Sequence, residues 1–167
     1  QLIDDLLNFS RYQNGVQTLQ RRPCDLGELV QQMPQRFAEK AGEREVTLVC
    51  DIHEPLPHLN LDSAQLERLL ANLTDNALRY SNPGDTVRLQ VRRHDEQVMV
   101  SVQDQGEGIP FEQQARIFEP FVQVGRRKGG VGLGLALARE IVQLHGGRLS
   151  VHSRPGEGTT FYFSLPV

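Results

Sequence analysis

Apolar residues recur every three or four positions in several stretches of the chain, which is the spacing of a helix that buries one face. This pattern predicts helices over residues 1 to 13, 25 to about 42, 62 to 80 and 135 to 145, with a short helical piece near 111 to 117. Asn14 and Gly15 are expected to end the first helix, and Pro34 to kink the second. The first helix fits either packing on its own domain or contact with a partner.

Two of these helices begin with capping signals. Asp25 precedes Glu28 by three positions, and Asp62 precedes Gln65 by the same spacing. In such pairs the first side chain accepts a bond from the backbone N–H of the second residue, whose side chain bonds back to the first residue. We therefore expect a helix to start at each aspartate.

Alternation of apolar and polar residues, with many β-branched ones, predicts strands elsewhere. These strands lie at residues 46 to 52, about 86 to 94, 97 to 104, about 148 to 153 and 159 to 165, with a tight turn at His94 and Asp95. Helices and strands together predict a two-layer α/β sandwich. The glycine-rich stretch from Gly106 to Gly134 is too long for an ordinary connection, so function is expected to concentrate there.

Composition narrows the class of protein. The 167 residues are 38% apolar and 23% charged, which is typical of one soluble globular domain. The net charge of −3 gives no support for binding nucleic acid or a membrane surface. Cys24 and Cys50 form no CxxC pair, so no zinc site is expected. No apolar run approaches the roughly 18 residues that a bilayer requires.

The helix over residues 62 to 80 carries Asn72, Asn76 and Arg79 on the face opposite its leucine stripe. Most polar faces of this kind are simply solvated. Two amides at this spacing are nevertheless unusual, and an amide oxygen suits one ligand position on a Mg²⁺ ion that is otherwise held by phosphate and water. The face is therefore either solvated or directed at a metal and phosphates.

The run DQGEGI places Asp104 at the end of a strand, followed by Gly106 and Gly108. It fits a tight turn, and it also fits a ligand pocket because glycine lets a ligand approach the backbone. A carboxylate only accepts hydrogen bonds. In a pocket it would accept one from the exocyclic amine of adenine and would repel the carbonyl oxygen of guanine.

Glycines also crowd the start of the last predicted helix, at positions 129, 130, 132 and 134. Free N–H groups and the positive end of the helix dipole favour phosphate at such a place. The run matches neither the P-loop nor the dinucleotide fingerprint, and flexibility without phosphate is the alternative interpretation. The basic residues 126 to 128 just before it would neutralise a triphosphate or merely solvate a loop.

In this order, five runs resemble the N, G1, F, G2 and G3 boxes of the histidine kinase catalytic domain: LERLLANLTDNALRYS, DQGEGI, IFEPF, GGVGLGLALA and GEGTTFYFSLP. The resemblance covers about residues 25 to 167 and implies the Bergerat fold, a mixed sheet of about five strands covered on one face by three helices. Residues 1 to 15 resemble the end of the second helix of the family's dimerisation and phosphoacceptor domain, which favours the partner-contact interpretation. Residues 16 to 24 are then a linker.

The resemblance implies a role for each matching residue. Asn76 would be the Mg²⁺ ligand, Asn72 a second polar contact near metal and phosphates, and Arg79, where the family usually has lysine, a phosphate contact. Asp104 would recognise the adenine of ATP. The other residues implied in nucleotide binding are Tyr80, Gly106, Gly108, Lys128, Gly130, Gly132, Leu133, Gly134 and Thr159.

The F box implies a lid over the nucleotide. Phe118 and Phe121 match this box and are expected in the core at the base of the lid. The lid itself would be residues 122 to 130, which is shorter than in many members of the family.

The ATP-hydrolysing members of the wider group with the Bergerat fold carry glutamate where this chain has Asn72. Without that general base, the site suits transfer of phosphate from Mg·ATP to a histidine better than hydrolysis. None of the five histidines matches the acceptor box of the family, and His145 is expected to cap a helix or to face solvent. The acceptor is therefore expected outside this chain.

Three partners are implied: the protein's own dimerisation and phosphoacceptor domain, a second copy in a homodimer, and the receiver domain of a response regulator. The implied location is the cytoplasmic portion of a membrane-anchored sensor, with no membrane contact by this chain. Two alternatives remain open. One is a catalytically silent, ATP-binding regulatory module, and the other is an ATP-driven clamp, which Asn72 and the first helix disfavour.

Overall fold

The computed structural model describes residues 2 to 53, 55 to 124 and 132 to 167. In chain order, their helices and strands are α1 (Leu2–Gln13), β1 (Arg22–Cys24), α2 (Leu26–Gln31), α3 (Met33–Arg36), α4 (Ala38–Glu43), β2 (Thr47–Ile52), β3 (Leu59–Leu61), α5 (Ser63–Tyr80), β4 (Thr86–His94), β5 (Gln97–Gln103), α6 (Phe111–Gln114), α7 (Gly134–Leu144), β6 (Arg148–Ser153) and β7 (Thr159–Pro166). Among the helices described, none combines the length and the apolar character needed to cross a bilayer.

Five strands form a mixed sheet in the order β2-β4-β5-β7-β6. Strand β2 runs parallel to β4, whereas the other neighbours are antiparallel. The register aligns Leu89, Val102 and Phe161 across three adjacent strands, and all three are buried. Side chains alternate between the two faces of a strand, so this row lies on one face of the sheet. The predicted mixed sheet is confirmed.

Helices cover that apolar face. Helix α2 contacts β2 and β4, α5 contacts β4 and β5, and α7 contacts β6 and β7. The leucine stripe of α5 is fully buried against the sheet and its neighbours, at Leu66, Leu69, Leu70 and Leu73. Full burial of one such side chain stabilises a fold by about 1.5–3 kcal/mol, so this stripe contributes a large part of the hydrophobic core. The predicted two-layer sandwich is confirmed.

The helix predicted over residues 25 to 42 is wrong in one respect, because the chain forms three short helices there. Asp25 caps α2 as predicted, since its Oδ1 accepts from the backbone N–H of Glu28 at 3.1 Å. Pro34 then stands in the first turn of α3 and has no N–H to bond Val30. The Val30 carbonyl instead accepts from the Cys50 thiol at 3.5 Å. A second break follows at Phe37, between α3 and α4.

A small second sheet was not predicted. Strand β1 pairs antiparallel with β3, which joins the end of the predicted linker to the segment before α5. Each strand has only three residues, too few for an alternating pattern to be visible in the sequence. Cys24, Leu59 and Leu61 are buried, so residues 22 to 24 are part of the packed structure.

Helix α1 has two differently used faces. Tyr12 is buried and its hydroxyl donates to Gln65 Oε1, while Asp5 pairs with Arg68 at 2.6 Å. These contacts fix α1 to the side of α5. A second, apolar stripe is left exposed, at Leu2, Ile3, Leu6 and Leu7.

The N-terminus of α5 is fastened at a buried polar junction. Asp62 Oδ1 accepts from the N–H of Gln65 at 3.2 Å, as the capping signal predicts. The side chain of Gln65 does not complete the box, because it bonds Tyr12. The N–H of Asp62 instead donates to His145 Nε2 at 3.1 Å.

His145 caps α7 and is only 1% exposed, so the expectation of a cap holds and that of a solvent-facing side chain is wrong. Its Nδ1 lies 2.8 Å from the carbonyl oxygen of Ile141. Because Nε2 accepts a bond, Nδ1 carries the proton and the ring is neutral. Burial lowers the pKa of His145, although its bond to Ile141 opposes this effect.

The junction predicts a pH-dependent stability. We expect His145→Leu to lower the free energy of unfolding at pH 7 by about 1–3 kcal/mol, because the buried N–H of Asp62 loses its acceptor. Below a pH of about 6.5 the unfolded chain binds a proton that the folded chain excludes, so the wild type loses stability as the pH falls. The gap between wild type and variant should therefore narrow from pH 7 to pH 5 in urea unfolding experiments.

The exposed His152 provides the matched control, since His152→Leu removes a histidine from the outer face of the sheet. This variant loses no buried hydrogen bond, so at pH 7 its free energy of unfolding should stay within about 0.5 kcal/mol of the wild type. A gap for His145→Leu that does not change with pH contradicts the role of the junction.

Candidate functional site

An open cleft of about 610 Å³ lies between α5, the start of α7, and the ends of β5 and β7. Most of the residues implied in binding line it: Asn72, Asn76, Arg79, Tyr80, Asp104, Gly108, Gly132, Leu133, Gly134 and Thr159. Lys128 and Gly130 lie outside the described residues. One cleft therefore brings together side chains that are up to 87 positions apart in the sequence, from Asn72 to Thr159.

Asp104 lies at the inner end of the cleft and is only 3% exposed. Its Oδ1 accepts from the N–H of Gly106 at 2.9 Å and of Thr159 at 3.2 Å. Within the described residues, the side-chain hydrogen bonds of Asp104 are all made by Oδ1. Oδ2 is therefore the oxygen left to accept a hydrogen bond from a ligand.

Burial raises the pKa of Asp104 to about 6, and the two backbone N–H bonds oppose this rise. A nearby Asp85 adds a smaller upward contribution to this pKa. At pH 7 the group is therefore mostly ionised, but at a cost in stability. A buried acceptor without donor capacity selects a ligand that presents an amine.

The opposite end of the cleft is built from amides and a helix N-terminus. Asn72 and Asn76 project from α5 and are both half-buried. Asn72 Nδ2 donates to the carbonyl of Gly134 at 3.3 Å, which ties α5 to the first residue of α7. The amide oxygens of both residues remain acceptors.

These donors fit Mg²⁺ only in company with phosphate. Among the described residues, no group of three histidine, cysteine or acidic side chains is arranged to hold a metal ion. Asn76 would supply one neutral oxygen, and a hard cation needs about six oxygen ligands. Phosphate oxygens and water would have to provide the others, as in Mg·ATP.

Comparison with known proteins agrees with this arrangement. Residues 61–167 match the model of the histidine kinase-, DNA gyrase B-, and HSP90-like ATPase family. The chain belongs to this family. The predicted family membership is confirmed, and the cleft is that of an ATP-binding catalytic domain.

The relatives that match this chain include a sensor protein and a sensory kinase. The chain is 57% identical over 166 residues to the alginate biosynthesis sensor protein KinB of Pseudomonas aeruginosa, covering 99% of this chain and 28% of KinB. It is 35% identical over 169 residues to the adaptive-response sensory kinase SasA of Synechocystis sp., covering 99% of this chain and 44% of SasA. The chain thus spans less than half of the length of these two relatives.

Solved structures of the family share the fold. Full-length ShkA in complex with AMPPNP superimposes with a TM-score of 0.90 at 31% identity, covering 99% of this chain and 35% of ShkA. The nucleotide-free catalytic domain of the histidine kinase ThkA gives a TM-score of 0.79 at 26% identity, covering 89% of this chain and 96% of that domain. The predicted fold class is confirmed.

The glycines of this ATPase-family domain fall into two groups. A Cβ on Gly106 would overlap the carbonyl oxygen of Tyr80, and one on Gly108 would overlap that of Arg154. Gly108 also has a φ of +76°, which side chains rarely adopt. A Cβ on Gly134, by contrast, would meet only Asn72 Cγ, at 4.0 Å. Packing therefore requires glycine at 106 and 108, whereas at 134 the space is open to a ligand.

Gly106 and Leu133 differ from their implied roles. Gly106 lies behind the cleft wall and supports Asp104 through its N–H. Leu133 lines the cleft but is only 2% exposed, so its side chain belongs to the core. A ligand would meet mainly the backbone of Leu133.

Of the two F-box phenylalanines, Phe118 packs against the core as expected and Phe121 does not. Phe118 is partly buried and makes an edge-on contact with Phe161, at 6.1 Å between ring centres. Phe121 is 59% exposed and has a φ of 66°, so the expectation that it lies in the core is wrong. Its N–H donates to the carbonyl of Gly132 at 2.9 Å. Residues 125 to 130 of the predicted lid lie outside the described residues.

Several site residues were not found from the sequence. Ser153 accepts from the N–H of Ile109 at 2.8 Å, and its hydroxyl lies 2.8 Å from Thr159 Oγ1. It thereby links the loop after Asp104 to the start of β7. Asp75 lines the cleft between the two asparagines, and its spacing of four from Arg79 was the available signal. Lys40 also lines the cleft, without a signal in the sequence.

Gly108 and Gly134 provide a matched pair of substitutions. Gly108→Ala should lower the free energy of unfolding by about 1–3 kcal/mol, because of the strained backbone and the overlap with Arg154. Gly134→Ala should leave it unchanged or slightly higher, since alanine favours a helix. Gly134→Ala should instead weaken Mg·AMPPNP binding at least about fivefold in calorimetric titration, by obstructing the backbone approach. Unchanged affinity would remove Gly134 from the binding site.

Asp104→Asn should stabilise the domain and weaken its binding of nucleotide. Because the folded pKa is raised, stability falls as the pH rises from about 4 to about 6, and the uncharged amide avoids this loss. At pH 7 we expect a gain of about 1–3 kcal/mol in the free energy of unfolding. The amide oxygen would keep the two backbone N–H bonds, so the amide N–H₂ would face the adenine amine. Affinity for AMPPNP should therefore fall more than about tenfold.

The control for this substitution is Asp95→Asn, at a side chain that is 89% exposed in the hairpin turn. It should change neither thermal stability nor affinity. An Asp104→Asn variant that binds as tightly as the wild type would rule out adenine recognition by this carboxylate.

Proposed function

We propose that this domain binds Mg·ATP in the cleft and transfers the γ-phosphate to a histidine of its own dimerisation and phosphoacceptor domain. The observation that carries the proposal is that the two ends of the cleft differ in chemistry. A buried amine-reading carboxylate lies at one end, and two amides and an open helix N-terminus lie at the other. ATP has the same two ends, an aminopurine and a triphosphate.

The side chains near the phosphate end favour transfer over hydrolysis. Asn72 is an amide and cannot take a proton from water. Four carboxylates line the described cleft. Asp5 is paired with Arg68, Asp75 with Lys40 and Arg79, and Asp104 is bonded to backbone N–H groups. Glu107 lies in the loop after Asp104, whereas the position that holds the general base in the ATP-hydrolysing group is occupied by Asn72. A histidine nucleophile brings its own lone pair, so such a base is not required.

In the proposed step an imidazole nitrogen attacks the γ-phosphorus. The bond from that phosphorus to the bridging oxygen breaks, ADP leaves with the bonding electrons, and the imidazole proton goes to solvent. Bound Mg²⁺ would neutralise developing charge. The protein would contribute the Asn76 oxygen, the N–H groups at the start of α7 and the Arg79 guanidinium, which together hold the phosphates for in-line attack.

Helix α1 supports the proposed homodimer. Its inner face is fixed to α5, while Leu2, Ile3, Leu6 and Leu7 form a continuous exposed apolar stripe. Stripes of this kind cover similar stripes in helical bundles. In the proposal, this stripe belongs to the dimerisation domain of a membrane-anchored sensor. The domain lies on the cytoplasmic side of the membrane, where ATP is available. The receiver domain of a response regulator then takes the phosphate from the histidine.

The second candidate function is a regulatory module that binds ATP without transferring phosphate. The resemblance of α1 to a dimerisation helix also fits this alternative, since ATP would then only change helix packing. The complete set of Asn72, Asn76 and Asp104 in one cleft favours the kinase.

Phosphotransfer can be tested by adding separately produced phosphoacceptor helices to this chain with radiolabelled ATP and Mg²⁺. We expect acid-labile phosphate on a histidine of the helices. Asn76→Ala should reduce its rate of formation at least about 100-fold, since metal and phosphates lose a ligand. The exposed Asn14→Ala serves as the control and should transfer at the wild-type rate.

Binding of AMPPNP without any phosphohistidine, on helices that accept phosphate from another kinase, would support the regulatory module. Absence of binding would contradict both candidate functions.

A further inference from the structure

Three charged side chains form a cluster on the wall of the cleft. The carboxylate of Asp75 pairs through Oδ1 with the Lys40 ammonium and through Oδ2 with the Arg79 guanidinium, the latter at 2.9 Å. All three residues line the cleft beside Asn76. Lys40 comes from α4, whereas Asp75 and Arg79 come from α5.

Lys40 reaches the cleft because of the breaks in the second predicted helix. Helix α3 starts around Pro34, and the backbone breaks again at Phe37 before α4. After this break Phe37 and Lys40, three positions apart, both line the cleft. The position of Lys40 is therefore a product of the tertiary fold rather than of a motif.

The cluster carries two positive charges and one negative charge. Each oxygen of Asp75 is used by a different cation. An ammonium has three N–H donors, so Lys40 keeps donors after it bonds one oxygen of Asp75. Without a carboxylate between them, two neighbouring cations would repel each other and separate.

We propose that Lys40 is a further binding residue for the phosphate chain of the nucleotide, and that Asp75 is a positioning residue that holds Lys40 and Arg79 side by side for it. The inference rests on the proposed function, since it assumes that phosphates occupy this end of the cleft. It adds a cation outside the sequence motifs and assigns a role to Asp75.

A simpler role for Asp75 predicts the opposite change in ATP affinity when this residue is replaced. If Asp75 merely offset the positive charge of the cleft, Asp75→Asn would make the site more positive and would bind ATP more tightly. If Asp75 positions the two cations, the same substitution weakens ATP binding although the charge becomes more favourable. The direction of the change separates the two roles.

The experiment measures ATP affinity by calorimetry with Mg²⁺ and adenosine affinity by ligand-observed NMR. We expect Lys40→Met to weaken ATP binding about five- to twentyfold, because charge-assisted bonds to phosphate are lost. Asp75→Asn should weaken it about three- to tenfold, a smaller effect because the cations remain but are no longer held. Adenosine has no phosphate, so its affinity should stay at the wild-type value in both variants.

Arg92→Met is the matched control, because it removes the same charge from an exposed position on β4. It should bind ATP as the wild type does. A loss of ATP affinity as large in Arg92→Met as in Lys40→Met would overturn the proposal, since the effect would then be one of overall charge. Circular dichroism shows whether each variant is folded, so a loss of adenosine binding counts against the proposal only in a folded variant.

Three further results would overturn the inference: ATP affinity in Lys40→Met equal to that of the wild type, tighter ATP binding in Asp75→Asn, or an equal loss of adenosine binding in either variant. These results differ from a failure of the proposed function. In that case the wild-type chain itself would bind neither ATP nor adenosine, or it would bind ATP and place no phosphate on a competent histidine.

Discussion

The binding site depends on a carboxylate held out of water. Asp104 is buried at the seam where β5 ends and β7 begins, and its main-chain N–H bonds the Thr159 carbonyl at 2.9 Å. Burying a charge is costly unless its oxygens are bonded, and here two backbone N–H groups satisfy Oδ1. The glycines around the seam follow from this constraint, because a Cβ on Gly158 would overlap the Asp104 carbonyl. The buried carboxylate lowers the stability of the domain and provides a specific hydrogen-bond acceptor for a ligand.

Helix α5 joins this end of the cleft to the other. Its leucine stripe fixes the helix in the core, while Asn72, Asn76 and Arg79 on another face line the cleft. The same helix receives α1 through Gln65 and Arg68, and its N-terminus is pinned by His145 from α7. A shift of α1 would therefore act directly on the element that carries the phosphate-side residues.

The capping pairs at Asp25 and Asp62 show what a local sequence pattern predicts and what it does not. The capping pairs correctly located two helix starts, since each aspartate accepts from an N–H three residues later. The predicted return bond from Gln65 was replaced by a bond to Tyr12, 53 positions away. The N–H of Asp62 found its acceptor 83 positions away, in His145. Local geometry sets where a helix starts, whereas distant elements decide which partners its polar groups use.

The sequence by itself determined the sandwich, its long helices and strands, and the residues of the five motifs, because periodicity and glycine placement are local consequences of backbone geometry. It did not reveal β1 and β3, whose three residues each are too short to show a period. Nor did it reveal that glycine at 106 and 108 is required by packing, while at 134 it leaves open space.

Only the tertiary structure decided the remaining details of the site. The kink predicted at Pro34 was followed by a second, unpredicted break at Phe37, and together they turned one predicted helix into three and placed Lys40 beside Asp75. Phe121, expected in the core, was left exposed with a positive φ. These outcomes depend on contacts between residues far apart in the chain, and a sequence pattern records the preference of each segment but not which segments meet.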